Sequence, residues 1–179
     1  MREFMKAHRR FVWILVVLVV LTGVFVAVWF QPHKLFIEET VDEAPPTLQS
    51  EGAEPAPSDG QPSPASKEPS VLAEGAFQGL EHPTSGMAQL LDLSDGSRFL
   101  RFENLDTSNG PDLRVYLSEI PASDDWYGYG ERFIDLGPLK GNRGDQNYEV
   151  PAGTDLSAYQ SAVIWCRRFT VGFGVAPLT

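Results

Sequence analysis

The stretch Leu113-Arg114-Val115-Tyr116-Leu117 decides the fold class, because apolar and polar side chains alternate along it. Successive side chains of a β-strand point to opposite faces, so Leu113, Val115 and Leu117 share one face. Leu100-Arg101-Phe102-Glu103 repeats the pattern. Further short runs typical of strands occupy residues 75–80, 87–93, 146–150, 162–167 and 169–176. Only residues 155–159 look helical, and that segment is too short to change the fold class.

Turn-forming residues separate these runs. They form the clusters Ser94-Asp95-Gly96, Asn109-Gly110-Pro111-Asp112, Gly137-Pro138 and Pro151-Ala152-Gly153. About seven or eight short strands with frequent turns indicate an antiparallel β-sandwich or a closed barrel. We expect the sandwich. The sequence therefore predicts an all-β fold, with a single jelly-roll-like antiparallel sandwich over residues 71–179, which is enough chain for one core.

An N-terminal apolar segment predicts a membrane anchor. Residues 11–30 carry no charge, and about 20 helical residues match the thickness of the hydrocarbon layer. Arg2, Lys6, Arg9 and Arg10 precede this segment, which predicts a cytoplasmic N-terminus at residues 1–10 and an extracytoplasmic C-terminal domain. The run is longer than the core of a cleaved signal peptide, so we expect an uncleaved single-pass signal-anchor in the cell membrane.

The segment between the anchor and the sandwich predicts a disordered linker. Residues 38–70 contain seven prolines and eight acidic residues but almost no large apolar side chain. Such a composition buries too little surface to offset its conformational entropy. We expect residues 31–70 to be an extended spacer that holds the domain on the order of 100 Å from the bilayer at most.

Charge and residue inventory exclude several function classes. The net charge of −10, and the 15 acidic against 8 basic residues of the predicted domain, argue against nucleic acid as a partner. His82 is the only histidine in the domain, and neither Gly-x-Ser-x-Gly nor His-Glu-x-x-His occurs, so a catalytic triad or a zinc peptidase lacks parts. Asp124 and Asp125 do not lie in a loop with calcium-ligand spacing. We expect no independent catalytic activity and no metal site.

Cys166 is the only cysteine, so it has no partner for an internal disulfide. It is a reactive thiol, a ligand, a bridge between two copies or a buried apolar side chain. If Ile164 and Cys166 face the core, the thiol is a small buried hydrophobe. If Trp165 faces the core instead, Cys166 lies on an outer face that a cofactor or partner must cover. Alternation sends the Arg167 side chain to the opposite face from Cys166, so only the Arg168 side chain could bring a positive charge to the sulfur.

The connection over residues 118–132 is long for a small sandwich and carries Trp126, Tyr127 and Tyr129. These rings either line a ligand pocket or cap an open end of the sandwich. An aromatic loop on an acidic, stalked domain suits an exported binding module. Arg143-Gly144-Asp145 spells an integrin-binding tripeptide, which we interpret as turn chemistry.

Several segments in order resemble the electron-transfer DM-thirteen domain family over most of residues 73–178. They are Gly75-Ala76-Phe77, Glu81-His82-Pro83-Thr84-Ser85-Gly86, Asn109-Gly110-Pro111-Asp112-Leu113, Val115, Leu117-Ser118, Leu136-Gly137-Pro138-Leu139-Lys140-Gly141, Gly144-Asp145-Gln146-Asn147-Tyr148, Val150-Pro151, Ile164-Trp165-Cys166, Phe169, Phe173-Gly174 and Ala176. The resemblance implies an extracytoplasmic β-rich domain whose cysteine, Cys166 here, works in redox chemistry as a free thiol or as a ligand to a prosthetic group such as haem.

On this resemblance we expect a membrane-anchored electron-transfer accessory that acts through Cys166, with a redox partner protein supplied in trans. If haem is bound, Cys166 would be one axial ligand and His82 or Met87 the other. A copper site from the same three residues would lack the second histidine of blue-copper sites. The alternative function is an exported ligand- or protein-binding module whose cysteine is structurally inert.

Overall fold

The computed structural model describes residues 2–30, 37–47 and 69–179 of the chain. Helix α1 spans Arg2–Phe30, and its stretch Phe11–Trp29 is long and apolar enough to cross a membrane. Residues 31–36 and 48–68, which make up much of the predicted linker, lie outside the described residues.

Within the described residues, ten strands follow the helix in chain order. Their bounds are β1 Thr40–Asp42, β2 Ser70–Ala76, β3 Gln78–Gly79, β4 Thr84–Asp92, β5 Arg98–Thr107, β6 Leu113–Ser118, β7 Phe133–Pro138, β8 Arg143–Val150, β9 Ser161–Cys166 and β10 Val171–Pro177. Two single-turn 3-10 helices, Gly128–Gly130 and Leu156–Ala158, interrupt the connections. The strands predicted from alternation are therefore present, and the only helical turn predicted in the domain is a 3-10 turn.

The strands form two five-stranded sheets. The first has the order β1-β8-β5-β4-β2, and the second has the order β3-β10-β9-β6-β7. Every pairing is antiparallel except that of β1, which runs parallel to β8. This arrangement confirms the predicted all-β sandwich.

The main core lies between the sheets and follows the predicted alternation. Leu113, Val115 and Leu117 of β6 face Leu100 and Phe102 of β5, and all five side chains are buried. The outer face of the second sheet is also covered. Tyr116, Tyr129, Val163, Trp165 and Val175 form a second buried cluster there. The second sheet is therefore buried on both faces, which explains why Ser161–Cys166 is apolar on both sides.

Strand β1 contradicts the prediction of disorder for residues 31–70 over the part of that segment that the structure describes. Thr40, Val41 and Asp42 pair with Arg143, Gly144 and Asp145 at the free edge of the first sheet. The composition of a segment measures how much apolar surface it can bury by itself. It does not register that an existing sheet edge offers unpaired N–H and C=O groups to an extended neighbour. The domain boundaries at residues 10, 30 and 70 stay predictions.

Candidate functional site

Cys166 is the last residue of β9, the strand that lies between β6 and β10 in the second sheet. Along β9, Ala162, Ile164 and Cys166 belong to the main core, whereas Val163 and Trp165 belong to the outer cluster. Of the two orientations that the sequence allowed, the structure has the one in which Cys166 faces the core. The outer face, which carries Trp165, is covered by the chain's own aromatic loop.

The Cys166 side chain is completely buried. Its neighbours across the two ladders are Leu113 and Val171, both buried core residues. Burial raises the pKa of the thiol because a thiolate is poorly solvated there, although backbone hydrogen bonds at Phe169, Arg168 and Asp112 act in the opposite direction. The thiol is therefore neutral at physiological pH, and it has neither the access nor the depressed pKa of a reactive cysteine.

The arginines that follow Cys166 do not activate it. Arg167 opens the turn between β9 and β10 and pairs with Asp112, with 3.0 Å between its Nε and the carboxylate. The guanidinium of Arg168 lies 5.0 Å from the centre of the Trp29 ring and donates a hydrogen bond to the Trp29 carbonyl oxygen. Arg168 acts on the sulfur through a backbone hydrogen bond of the turn.

His82 and Met87, the two proposed second ligands, lie elsewhere in the fold. The half-buried His82 ring packs against Phe173 at an interplanar angle of 41°, with 4.0 Å between ring centres, and its Nε2 lies 3.1 Å from a carboxylate oxygen of Glu81. Met87 pairs with Ala76 and Glu103 in the first sheet, and it precedes the core residue Ala88, so it points to the outer face of that sheet. Cys166 faces inward from the opposite sheet.

The structure therefore does not bring Met87 to Cys166, and it holds the His82 ring against Phe173 and beside Glu81. A haem ligated by Cys166 needs an open position at the sulfur, and the sulfur is enclosed by core side chains. Over the described ranges, no group of three or more His, Cys, Asp and Glu side chains is placed to hold a metal ion. The geometry gives the haem hypothesis no support, and a haem-binding spectrum remains its test.

The aromatic loop divides into a buried part and an exposed part. Tyr129 is fully buried, and its hydroxyl accepts a hydrogen bond from the Ser123 backbone N–H at 2.7 Å, so this ring caps the outer cluster. Trp126 and Tyr127 are 43% and 67% exposed. Tyr129 therefore has a capping role, and the exposed pair provides the candidate contact surface.

Two clefts lie beside the Asn109 loop at one end of the sandwich. One has a volume of about 260 Å³ and includes Gly110, Asp112 and Leu139 in its lining. The other has a volume of about 310 Å³ and includes His82 and Arg143. Ile37, Asn109 and Asn142 line both, so the clefts are neighbours on either side of the segment that leads from the helix.

Sequence reasoning missed the residues that hold this segment. Arg101 is only 2% exposed although it lies on the outer face of the first sheet, where it binds Glu103, Asp145 and Asn147 and the backbone oxygen of Glu43. An arginine at an outward position of a strand predicts a solvated side chain. The one available signal was the acidic stretch Glu38-Glu39 and Asp42-Glu43, which complements basic residues of an otherwise acidic domain.

Comparison with known proteins gives one result. A family model described as "Electron transfer DM13" matches residues 76–178, which is more than half of the chain and includes strands β3 to β10. Neither the curated proteins nor the solved structures contain a match. The matched region contains Cys166, His82 and Met87, and it ends one residue after β10. The chain therefore belongs to the DM13 family of electron-transfer domains.

Proposed function

We propose that this chain is a membrane-anchored, extracytoplasmic electron-transfer accessory that works with a redox partner protein in trans. The observation that supports the role most directly is the family match, which includes strands β3 to β10 of the sandwich. The apolar stretch Phe11–Trp29 supports the anchor, and the basic residues before it support a cytoplasmic N-terminus. We propose Cys166 as the redox residue of the domain.

The residues of the domain suit thiol–disulfide exchange only when the turn that follows Cys166 opens. In the closed turn the sulfur is buried and neutral, whereas exchange requires an accessible thiolate. Once deprotonated, the Cys166 sulfur would attack a disulfide of the partner. One sulfur–sulfur bond forms as the other breaks, and the partner's second sulfur leaves as a thiolate that takes up a proton. A further thiol must resolve the mixed disulfide, because this chain has no second cysteine.

The absence of an internal resolving cysteine makes the proposal testable by trapping. Membranes that contain the full chain are quenched with acid and N-ethylmaleimide and separated by non-reducing electrophoresis. We expect an adduct with an exported protein that disappears on reduction and is absent from Cys166→Ser. If no adduct forms with any disulfide donor, and maleimide labels Cys166 only after unfolding, thiol exchange is excluded. A Soret shift on adding haem that is lost in Cys166→Ser would instead support a haem ligand.

The complete burial of Cys166 and the exposure of Trp126 and Tyr127 favour one alternative, an exported binding module with an inert cysteine. In that case Cys166→Ser keeps the function of the chain, and a paired Trp126→Ser and Tyr127→Ser variant loses it. Tyr129 is unsuitable for this test, because its replacement would disrupt the buried outer cluster. The two functions therefore predict opposite results for the two variants.

A further inference from the structure

Residues 37–47 bind the edge of the sandwich, and we refer to them as the strap. The Arg143 N–H donates to the Glu39 carbonyl oxygen at 3.2 Å, and the Glu43 N–H donates to that of Asp145 at 3.0 Å. Gly144 makes this approach possible, since a Cβ atom built there would lie 2.0 Å from the Val41 carbonyl oxygen. The strap is thus fitted against a specific backbone surface.

Polar side chains hold the strap at its far end. The Glu43 carboxylate lies 2.7 Å from Nζ of Lys140 and accepts a hydrogen bond from the Asn147 backbone N–H, also at 2.7 Å. The nearly buried Arg101 donates from Nη1 to the Glu43 carbonyl oxygen at 2.9 Å. The strap covers Arg101, so its release would expose a guanidinium group that the structure surrounds with partners.

The strap begins at Ile37, at the end of the sandwich that carries the Asn109 loop and the β9–β10 turn. We refer to this end as the turn end. The Ile37 carbonyl oxygen accepts a hydrogen bond from Nδ2 of Asn109 at 3.0 Å. The same loop continues to Asp112, whose carbonyl oxygen accepts from the Arg167 N–H at 2.9 Å. Helix α1 ends at Phe30, so only residues 31–36 connect it to Ile37. At about 3.3–3.6 Å per residue, this tether reaches roughly 25 Å at most.

The turn end also carries exposed aromatic side chains beside arginine. Trp126, Tyr127 and Phe169 are 43%, 67% and 47% exposed. Trp126 is fixed next to the β9–β10 turn, because its carbonyl oxygen accepts from the Gly172 N–H at 2.7 Å. We refer to Trp126, Tyr127, Arg168 and Phe169 as the interfacial patch. Tryptophan and tyrosine are enriched at membrane–water interfaces, and long arginine side chains reach the headgroups from such positions.

We propose that the interfacial patch rests on the surface of the bilayer that contains α1, with the strap holding it there. The inference depends on the membrane anchoring proposed above. Residues Asp124 and Asp125 beside the patch make it a poor match for a strongly anionic surface, so the occupant is the zwitterionic headgroup–acyl boundary. The contact of Arg168 with Trp29 at the end of α1 agrees with this orientation.

The proposal predicts a depth difference between the two ends of the domain. The full chain is reconstituted in phosphatidylcholine liposomes that contain a lipid with a nitroxide near the headgroup. A fluorophore is attached at Thr170→Cys in the turn, or at Ala152→Cys in the exposed turn after β8, at the opposite end. The unsubstituted chain, whose Cys166 is buried, measures background labelling. We expect nitroxide quenching at Thr170→Cys to exceed that at Ala152→Cys at least threefold.

Two further variants distinguish the contribution of the interfacial patch from that of the strap. Trp126→Ser with Tyr127→Ser removes exposed rings and leaves the core intact, and it should reduce the quenching at position 170. Gly144→Ala expels the strap, lengthens the tether to residues 31–69, and should lower the quenching at 170 to the level at 152. Equal quenching at positions 170 and 152 in liposome-bound chain overturns the proposed orientation of the patch but not the membrane anchoring. Failure of the chain to float with liposomes overturns the anchoring as well.

Discussion

Cys166 is placed where two effects on a thiol oppose each other. The backbone of the following turn directs hydrogen bonds to the sulfur, which stabilises a thiolate, while the surrounding core removes the water that a thiolate needs. Burial is the larger effect, so the pKa of the folded thiol lies above its ordinary value. A single side chain can therefore resemble a redox centre in sequence and behave as a core residue in the closed fold.

The raised pKa of Cys166 predicts a pH dependence of stability. Below about pH 8.5 the thiol is neutral in both the folded and the unfolded chain. Above that pH only the unfolded chain loses the proton, so the free energy of unfolding falls by at most about 1.4 kcal/mol per pH unit until the folded pKa is reached. Cys166→Ala has no thiol and therefore lacks this loss of stability, so its free energy of unfolding relative to the unsubstituted chain should rise between pH 8 and 10.

Urea unfolding of the full chain in mild detergent, followed by tryptophan fluorescence, measures this difference. The tyrosines whose pKa burial raises, Tyr116 and Tyr148, are present in both chains and cancel in the comparison. Parallel pH profiles for the two chains would show that the sulfur is hydrated in the folded state and that the turn is open.

At the scale of the element, β1 is the least predictable strand and also the one with the clearest steric requirement. It contributes three residues to the first sheet, and it is the only parallel strand among the described pairings. Gly144 of β8 pairs with Val41 of β1, and its φ of 91° is a left-handed conformation that favours glycine. The element exists because a glycine on β8 leaves space for a second backbone.

Gly144→Ala and Gly96→Ala form a matched pair that isolates this packing. Both glycines have left-handed φ angles, of 91° and 86°, so alanine introduces about 1–2 kcal/mol of backbone strain at either site. A Cβ atom at Gly96 meets no atom within 4 Å, whereas one at Gly144 overlaps the Val41 carbonyl oxygen. Only Gly144→Ala should therefore lose hydrogen-exchange protection at the Glu39 and Glu43 amides.

Hydrogen exchange read by mass spectrometry on the full chain gives the result directly, with fragments that cover residues 37–47. We expect protection in the unsubstituted chain and in Gly96→Ala. Protection that persists in Gly144→Ala would mean that β1 tolerates displacement of its backbone and that the strap keeps its hydrogen bonds to the sheet edge.

At the scale of the whole molecule, the chain combines an apolar helix, a strap bound to the domain and a sandwich whose turn end carries the exposed aromatic rings. The strap replaces the extended spacer that composition predicted over residues 37–47. It shortens the connection between helix and domain to six residues. The proposed orientation follows from where the chain enters the domain.

The proposed sidedness predicts a protection pattern in cells. Protease added to spheroplasts that express the full chain should degrade residues 69–179 and leave an N-terminal epitope tag intact. Inverted membrane vesicles should show the reverse. Replacement of Arg9 and Arg10 by glutamate should weaken this orientation, because the basic residues before the helix determine it. Digestion of the tag in intact spheroplasts would contradict a cytoplasmic N-terminus.

Local sequence patterns are enough to predict the fold class, the apolar helix and the family. Alternation in stretches such as Leu113-Arg114-Val115-Tyr116-Leu117 is a local property, and so is hydropathy over Phe11–Trp29. Tertiary packing sets the contacts between residues that are far apart in the sequence. It placed Cys166 in the core, pointed Met87 to the outer face of the other sheet, and bound Thr40–Asp42 to a distant edge. Periodicity shows that a strand has two faces, but only packing against the other sheet decides which face is buried.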